Sequence, residues 1–89
     1  MAKRGKLEII RDILGIIQKN NNSISPTPLL RKSNLSSKSF QEYFSELLQK
    51  GLVKEIINKK GSIIALTSKG FKYLEKYKTI ISFIDEFDL

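Results

Sequence analysis

The order of its periodic segments limits what this chain can fold into more than any count of its residues. Two helix-period stretches are joined by the short turn Ser33-Asn34-Leu35-Ser36, and two β-runs follow the second stretch directly. Ser36 is a good N-cap for a helix that runs to about Lys50. Phe40, Tyr43, Phe44, Leu47 and Leu48 define its core face, and Gly51 is placed as the C′ residue that ends it. Leu52–Ile57 then reads as a strand, Asn58-Lys59-Lys60-Gly61 as a turn, and Ser62–Leu66 as the returning strand.

The flanking segments are helical. Over residues 4–20, Leu7, Ile10, Leu14 and Ile17 recur at helical spacing, with Ile9, Ile13 and Ile16 as a second stripe beside them. So wide an apolar face is expected to pack against two elements at once. Asn20-Asn21-Asn22-Ser23 breaks the pattern, and Ile24 fits a very short strand. Pro26 and Pro28 then suit the start of a short helix over 27–33, with Leu29 and Leu30 facing inward. Thr67 caps a last helix that continues to about Phe87. The 89 residues show no repeat and no linker, and are read as a single domain.

Charge and composition narrow the function. Asp85, Glu86 and Asp88 crowd the last five residues, leaving sixteen basic against six acidic side chains, a net of +10, on the stretch before them. A basic body of this kind suits a polyanion, either nucleic acid or an anionic membrane surface. The chain has no Cys, which excludes disulfides and thiolate metal sites, and no His, the commonest general base. With no Gly-rich phosphate loop and no carboxylate pair outside the acidic end, no catalytic residue, metal ligand or cofactor is assigned and an enzyme is the weakest reading. Met1-Ala2-Lys3-Arg4-Gly5-Lys6 looks like a signal-peptide start, but Glu8, Arg11 and Asp12 interrupt the apolar stretch behind it. No apolar run approaches the ~20 residues that span a bilayer. A cytoplasmic, nucleoid-associated protein is expected, with no membrane partner and no small-molecule ligand inferred.

Two helices joined by a short turn form a helix-turn-helix, whose second helix usually enters the major groove; the hairpin after it makes a wing. The residues Asn34-Leu35-Ser36, Phe40, Tyr43, Leu47-Leu48, Lys50-Gly51-Leu52-Val53 and Leu66-Thr67-Ser68-Lys69-Gly70 carry a further likeness. So does the opening Arg4-Gly5-Lys6-Leu7-Glu8-Ile9-Ile10. Together they resemble the archaeal winged-helix DNA-binding family of predicted transcriptional regulators and small basic chromatin-type proteins. The resemblance implies a mainly α fold with a small β-hairpin, a winged helix-turn-helix with an extended C-terminal helix. It further implies binding of double-stranded DNA by a homodimer joined through that last helix.

On the third helix, the face opposite Phe40, Phe44 and Leu47 carries Lys38, Glu42, Ser45 and Gln49, with Gln41 at its flank and Ser36 and Ser37 at its start. Hydroxyls at a helix N-terminus suit phosphate, Gln41 can pair with adenine, and Lys38 with guanine or phosphate. Glu42 repels phosphate, and either accepts from cytosine N4 or points away. Lys59 and Lys60 at the hairpin tip suit phosphate beside or within the minor groove. Arg31 and Lys32 are candidates for backbone contact. Lys3, Arg4 and Lys6 form either a basic arm or a disordered tail.

In the last helix, Tyr73, Tyr77, Ile80, Ile84 and Phe87 are spaced as a heptad seam, with Phe71, Leu74 and Ile81 beside it. One stripe is expected to pack on the first helix and the seam to join two copies, since so small a body covers only one of them. Two alternatives to a sequence-specific regulator remain. One is an architectural protein that coats DNA with little base discrimination; the other is a winged helix used for protein–protein contact.

Overall fold

The computed structural model describes residues 4–89. Its elements follow in the order α1 (Lys6–Lys19), α2 (Pro26–Ser33), α3 (Ser37–Gln49), β1 (Val53–Asn58), β2 (Gly61–Leu66) and α4 (Ser68–Glu86). The expected four helices and one hairpin are present in the expected order. Of the basic arm, Lys3 lies outside the described residues.

Local chemistry sets the boundaries. The Ser36 hydroxyl accepts the Ser39 amide at 3.2 Å and so caps α3. At the other end Gly51 adopts φ +72, a conformation glycine takes without steric cost. There the Leu52 amide donates to the Leu47 carbonyl at 2.9 Å and the Gly51 amide to Leu48 at 3.1 Å. This reciprocal pair closes the helix and aims Leu52 into the core. Proline at the first position of α2 starts that helix one residue earlier than the sequence suggests. The strands extend to Asn58 and Gly61, leaving only Lys59 and Lys60 as the loop, because the Asn58 side chain accepts the Lys60 amide at 2.9 Å.

The core lies where α1, α2 and α3 meet the hairpin. Ile10, Ile13, Leu14 and Ile17 of α1 pack with Leu29, Phe40 and Leu47 and with Leu52, Val53, Ile64 and Leu66. The Asn20–Ser23 loop joins this arrangement through β2. Ile24 forms a bridge to Ile64, and the Asn22 side chain accepts the Leu66 amide at 2.7 Å. Asn21 and Asn22 both take the left-handed conformation, which asparagine tolerates better than most residues. Ile24 is thus the short strand the sequence suggests.

Three apolar positions assigned to the core by periodicity lie outside it. Leu7 is 60% exposed at the start of α1, and Leu48 and Phe71 are exposed too. Each has the right helical phase, but its side chain is left largely to solvent. α4 begins against the hairpin and α1, then runs clear of both, and every residue from Lys78 onward is exposed. The molecule accordingly measures 50 × 29 × 22 Å. No helix among the described residues is long and apolar enough to cross a membrane.

Candidate nucleic-acid interface

α3 presents Ser37, Lys38, Gln41, Glu42 and Ser45 to solvent, with Ser36 exposed at its cap, because Phe40 and Leu47 turn the opposite side into the core. Ser37 and Lys38 occupy the first two helical positions, whose amides have no intrahelical acceptor. Those amides, two hydroxyls and the Lys38 ammonium therefore converge at the positive end of the helix dipole, an arrangement suited to a phosphate oxygen. Gln41 and Ser45 follow one turn apart along the same exposed side, at the spacing of groups that read base edges.

The hairpin adds a second cationic element. Lys59 and Lys60 are both exposed at its tip, and neither is paired with a carboxylate among the described residues. The same is true of Lys38 and of Arg31 at the end of α2. Ile57, next to this tip, is 78% exposed, an apolar contact point that strand periodicity alone does not single out.

Acidic charge near α3 is largely tied up. Glu46, which no local motif singles out, takes Lys6 at 3.1 Å and Lys50 at 3.2 Å. The hydrogen bonds from Lys6 and then Lys50 hold its carboxyl below the usual glutamate value. Lys50 is fixed further, as its carbonyl accepts the Lys69 ammonium at 2.8 Å. Glu42 lines a shallow depression with Lys6, Tyr43 and Glu46, on the α1 side of the helix. Glu42 nevertheless lies one helical turn from both Lys38 and Ser45 on the exposed side of α3, so its carboxylate belongs to that face as well.

Two parts of the expected site have long-range neighbours. Arg4 and Lys6 are not a free arm: Arg4 donates to Asp12 at 2.9 Å and to the Ser33 carbonyl at 3.2 Å, and Lys6 is held by Glu46. Lys32, a candidate for backbone contact, is exposed at the end of α2 and also lines a groove between α1 and α4. Both outcomes depend on residues far apart in sequence, so local pattern carries no sign of them.

On α4, the proposed seam divides in two. Tyr73 donates its hydroxyl to the Leu7 carbonyl at 2.9 Å, and burial, its largest influence, raises its phenol above the usual value. Tyr77 stacks beside Tyr73, and the Arg11 guanidinium lies 5.1 Å from its ring centre. These two tyrosines therefore face the chain's own α1. Ile80, Ile84 and Phe87 continue the same stripe beyond α1, with only the Phe83 ring of the same helix beside Phe87 at 4.8 Å; Ile80 is 53% and Phe87 58% exposed.

The profile of the winged helix-turn-helix family matches residues 3–85. The chain belongs to the winged helix-turn-helix family. Within it, an uncharacterized protein of Methanocaldococcus jannaschii is 33% identical over 83 residues, which are 93% of this chain and 36% of that protein. The chain thus spans little more than a third of that relative. Among solved structures, Sso10a-2, a DNA-binding protein from Sulfolobus solfataricus, superposes with a TM-score of 0.76 at 20% identity, covering 94% of this chain and 85% of that one. F93 from STIV, a winged-helix DNA-binding protein, gives 0.75 at 18% identity over 89% and 91% of the two chains. At such identities the shared property is the winged-helix fold, with α2 and α3 as its helix-turn-helix and β1–β2 as its wing.

Proposed function

We propose that this winged-helix chain binds double-stranded DNA as a dimeric transcription regulator. α3 lies in the major groove, and Lys59 and Lys60 of the wing meet the backbone or minor groove. The observation that carries this is the α3 face itself. A capped helix start with free amides, an unpaired lysine and two hydrogen-bonding side chains stands clear of the core, while the neighbouring Glu46 is neutralised by two lysines. That Sso10a-2 and F93 are DNA-binding proteins of the same fold supports the reading. Gln41 and Ser45 supply base contacts, and Arg31, Ser36, Ser37 and Lys38 hold the phosphates.

The dimer rests on the free end of α4. Ile80, Ile84 and Phe87 form an exposed apolar stripe that continues one already packed on α1, and a second copy is the simplest cover for it. A second reading, architectural coating of DNA, draws on the exposed Lys69, Lys72, Lys76 and Lys78 of α4. These would give affinity without base readout.

Titrating a fluorescent DNA duplex at about 50 and 200 mM salt tests the proposal. A dimer using Arg31, Lys38, Lys59 and Lys60 of each protomer neutralises about eight phosphates, so affinity should fall by about 10³–10⁵ across that range. Selection of a preferred sequence favours the regulator, and affinity without preference favours the coating protein. Absence of binding at both salts overturns both and leaves a protein-interaction module.

A further inference from the structure

The groove between α1 and α4, closed at one side by the end of α2, has a volume of about 590 Å³. Its walls are apolar, from Ile16, Leu74, Tyr77 and Ile81. Its rim is cationic, from Lys19, Lys32 and Lys78 with Arg4 and Arg11. Asp12 is the single carboxylate lining it, and that carboxylate is already shared by Arg4 at 2.9 Å and Arg11 at 2.7 Å. Only the Nε of Arg11 is used in this way, and its two terminal nitrogens have no acceptor among the described residues. The groove therefore offers an apolar floor and unspent positive charge around it.

The chain also carries the complementary shape. The end of α4 is exposed on all sides, and it combines Phe83, Ile84 and Phe87 with Asp85, Glu86 and Asp88. It cannot serve its own groove. Ile81 lines the groove, and the helix then carries Glu86, its last residue, about 7.5 Å further away at 1.5 Å per residue.

We propose that the apolar, acidic end of α4 of one copy seats in the α1–α4–α2 groove of a second copy, and reciprocally. The proposal rests on the dimer reading above and deepens it: the partner's helix end touches α1 and α2, not α4 alone. One contact then covers both the groove and the exposed apolar end. It also assigns Lys32 to holding the partner, beside the turn that positions α3, and makes the dimer weaken with salt.

The test uses the unaltered chain. Equal amounts of ¹⁵N-labelled and unlabelled protein are mixed at low salt and treated with a carbodiimide, which joins lysines to carboxylates in ion-pair contact. Sedimentation is run in parallel. The expected result is a dimer whose mixed-isotope cross-links join Asp85, Glu86 or Asp88 to Lys19 or Lys32. A dimer whose acidic end links only to α4 lysines such as Lys72 or Lys76 overturns the groove and leaves the dimer standing. A chain that stays monomeric at every concentration overturns both. If, in such a monomer, added benzoate shifts the amide signals of Gly15 and Ser33, the groove belongs to a small organic anion instead. As a second measurement, Lys19→Glu with Lys32→Glu should weaken self-association about tenfold, and adding Asp85→Lys with Glu86→Lys should restore it. Loss without restoration counts against the ion pairs and overturns the proposal.

Discussion

Gly70 shows how a single residue fixes the angle at which α4 leaves the hairpin. It is buried although neither helix periodicity nor strand alternation points to it, and a methyl group there would overlap the backbone carbonyl oxygen of Leu52. That carbonyl is engaged, accepting the Thr67 amide at 3.2 Å, so it cannot move without losing its bond to the residue that caps α4. Gly70→Ala should cost about 2 kcal/mol, read as a lower urea midpoint at unchanged slope. Glu46 makes a pH-dependent contribution. Its folded carboxyl lies below the usual 4.5, so its contribution is complete above that value and is lost as pH falls through the folded one. Glu46→Gln should therefore lower the melting temperature at pH 7. The gap to the parent should narrow as pH falls below 4.5 and close only below the folded value, where both states hold the proton. A gap that persists in acid would mean that the two lysines matter to this residue through packing and not through charge.

At the scale of elements, α3 and the hairpin were legible because local rules agree there. A serine cap, a helical apolar face, a glycine stop and a two-residue turn each point to the same boundaries. What stayed hidden depends on neighbours the sequence does not name. Leu7, Leu48 and Phe71 have core phase, but phase says which way a side chain points and not whether anything lies there. Lys6 meets Glu46 forty residues away, and Lys32 also lines the groove between α1 and α4, relations that no local pattern contains. The division of labour between elements is testable in the same terms. Lys59→Ala with Lys60→Ala should reduce the salt slope of DNA binding by about 2 per protomer and weaken all sequences alike. Gln41→Ala should leave that slope intact and flatten preference at one base pair by about 1–3 kcal/mol. If both changes act on every sequence equally, α3 reads no bases and the architectural account is the better one.

For the whole molecule, the decisive relation is between the free end of α4 and the avidity of DNA binding. A single winged-helix body of this size presents only a few unpaired cations on α3 and the wing, so tight binding at moderate salt requires two such bodies on one duplex. Ile80 and Ile84 touch none of the residues that build the core, so Ile80→Lys with Ile84→Lys should leave the circular dichroism spectrum unchanged. The same variant should sediment as a monomer. Its melting temperature should also lose the rise with protein concentration expected of the parent, because a dimer is stabilised by mass action and a monomer is not. Its salt slope should fall to about half the parent's, since one protomer neutralises half the phosphates of two. A fall in affinity with the slope unchanged would instead mean that the two lysines disturb the protomer's own DNA face. An unchanged affinity and slope would mean that each copy binds alone, and that the apolar end of α4 is covered by something other than a partner on the same DNA.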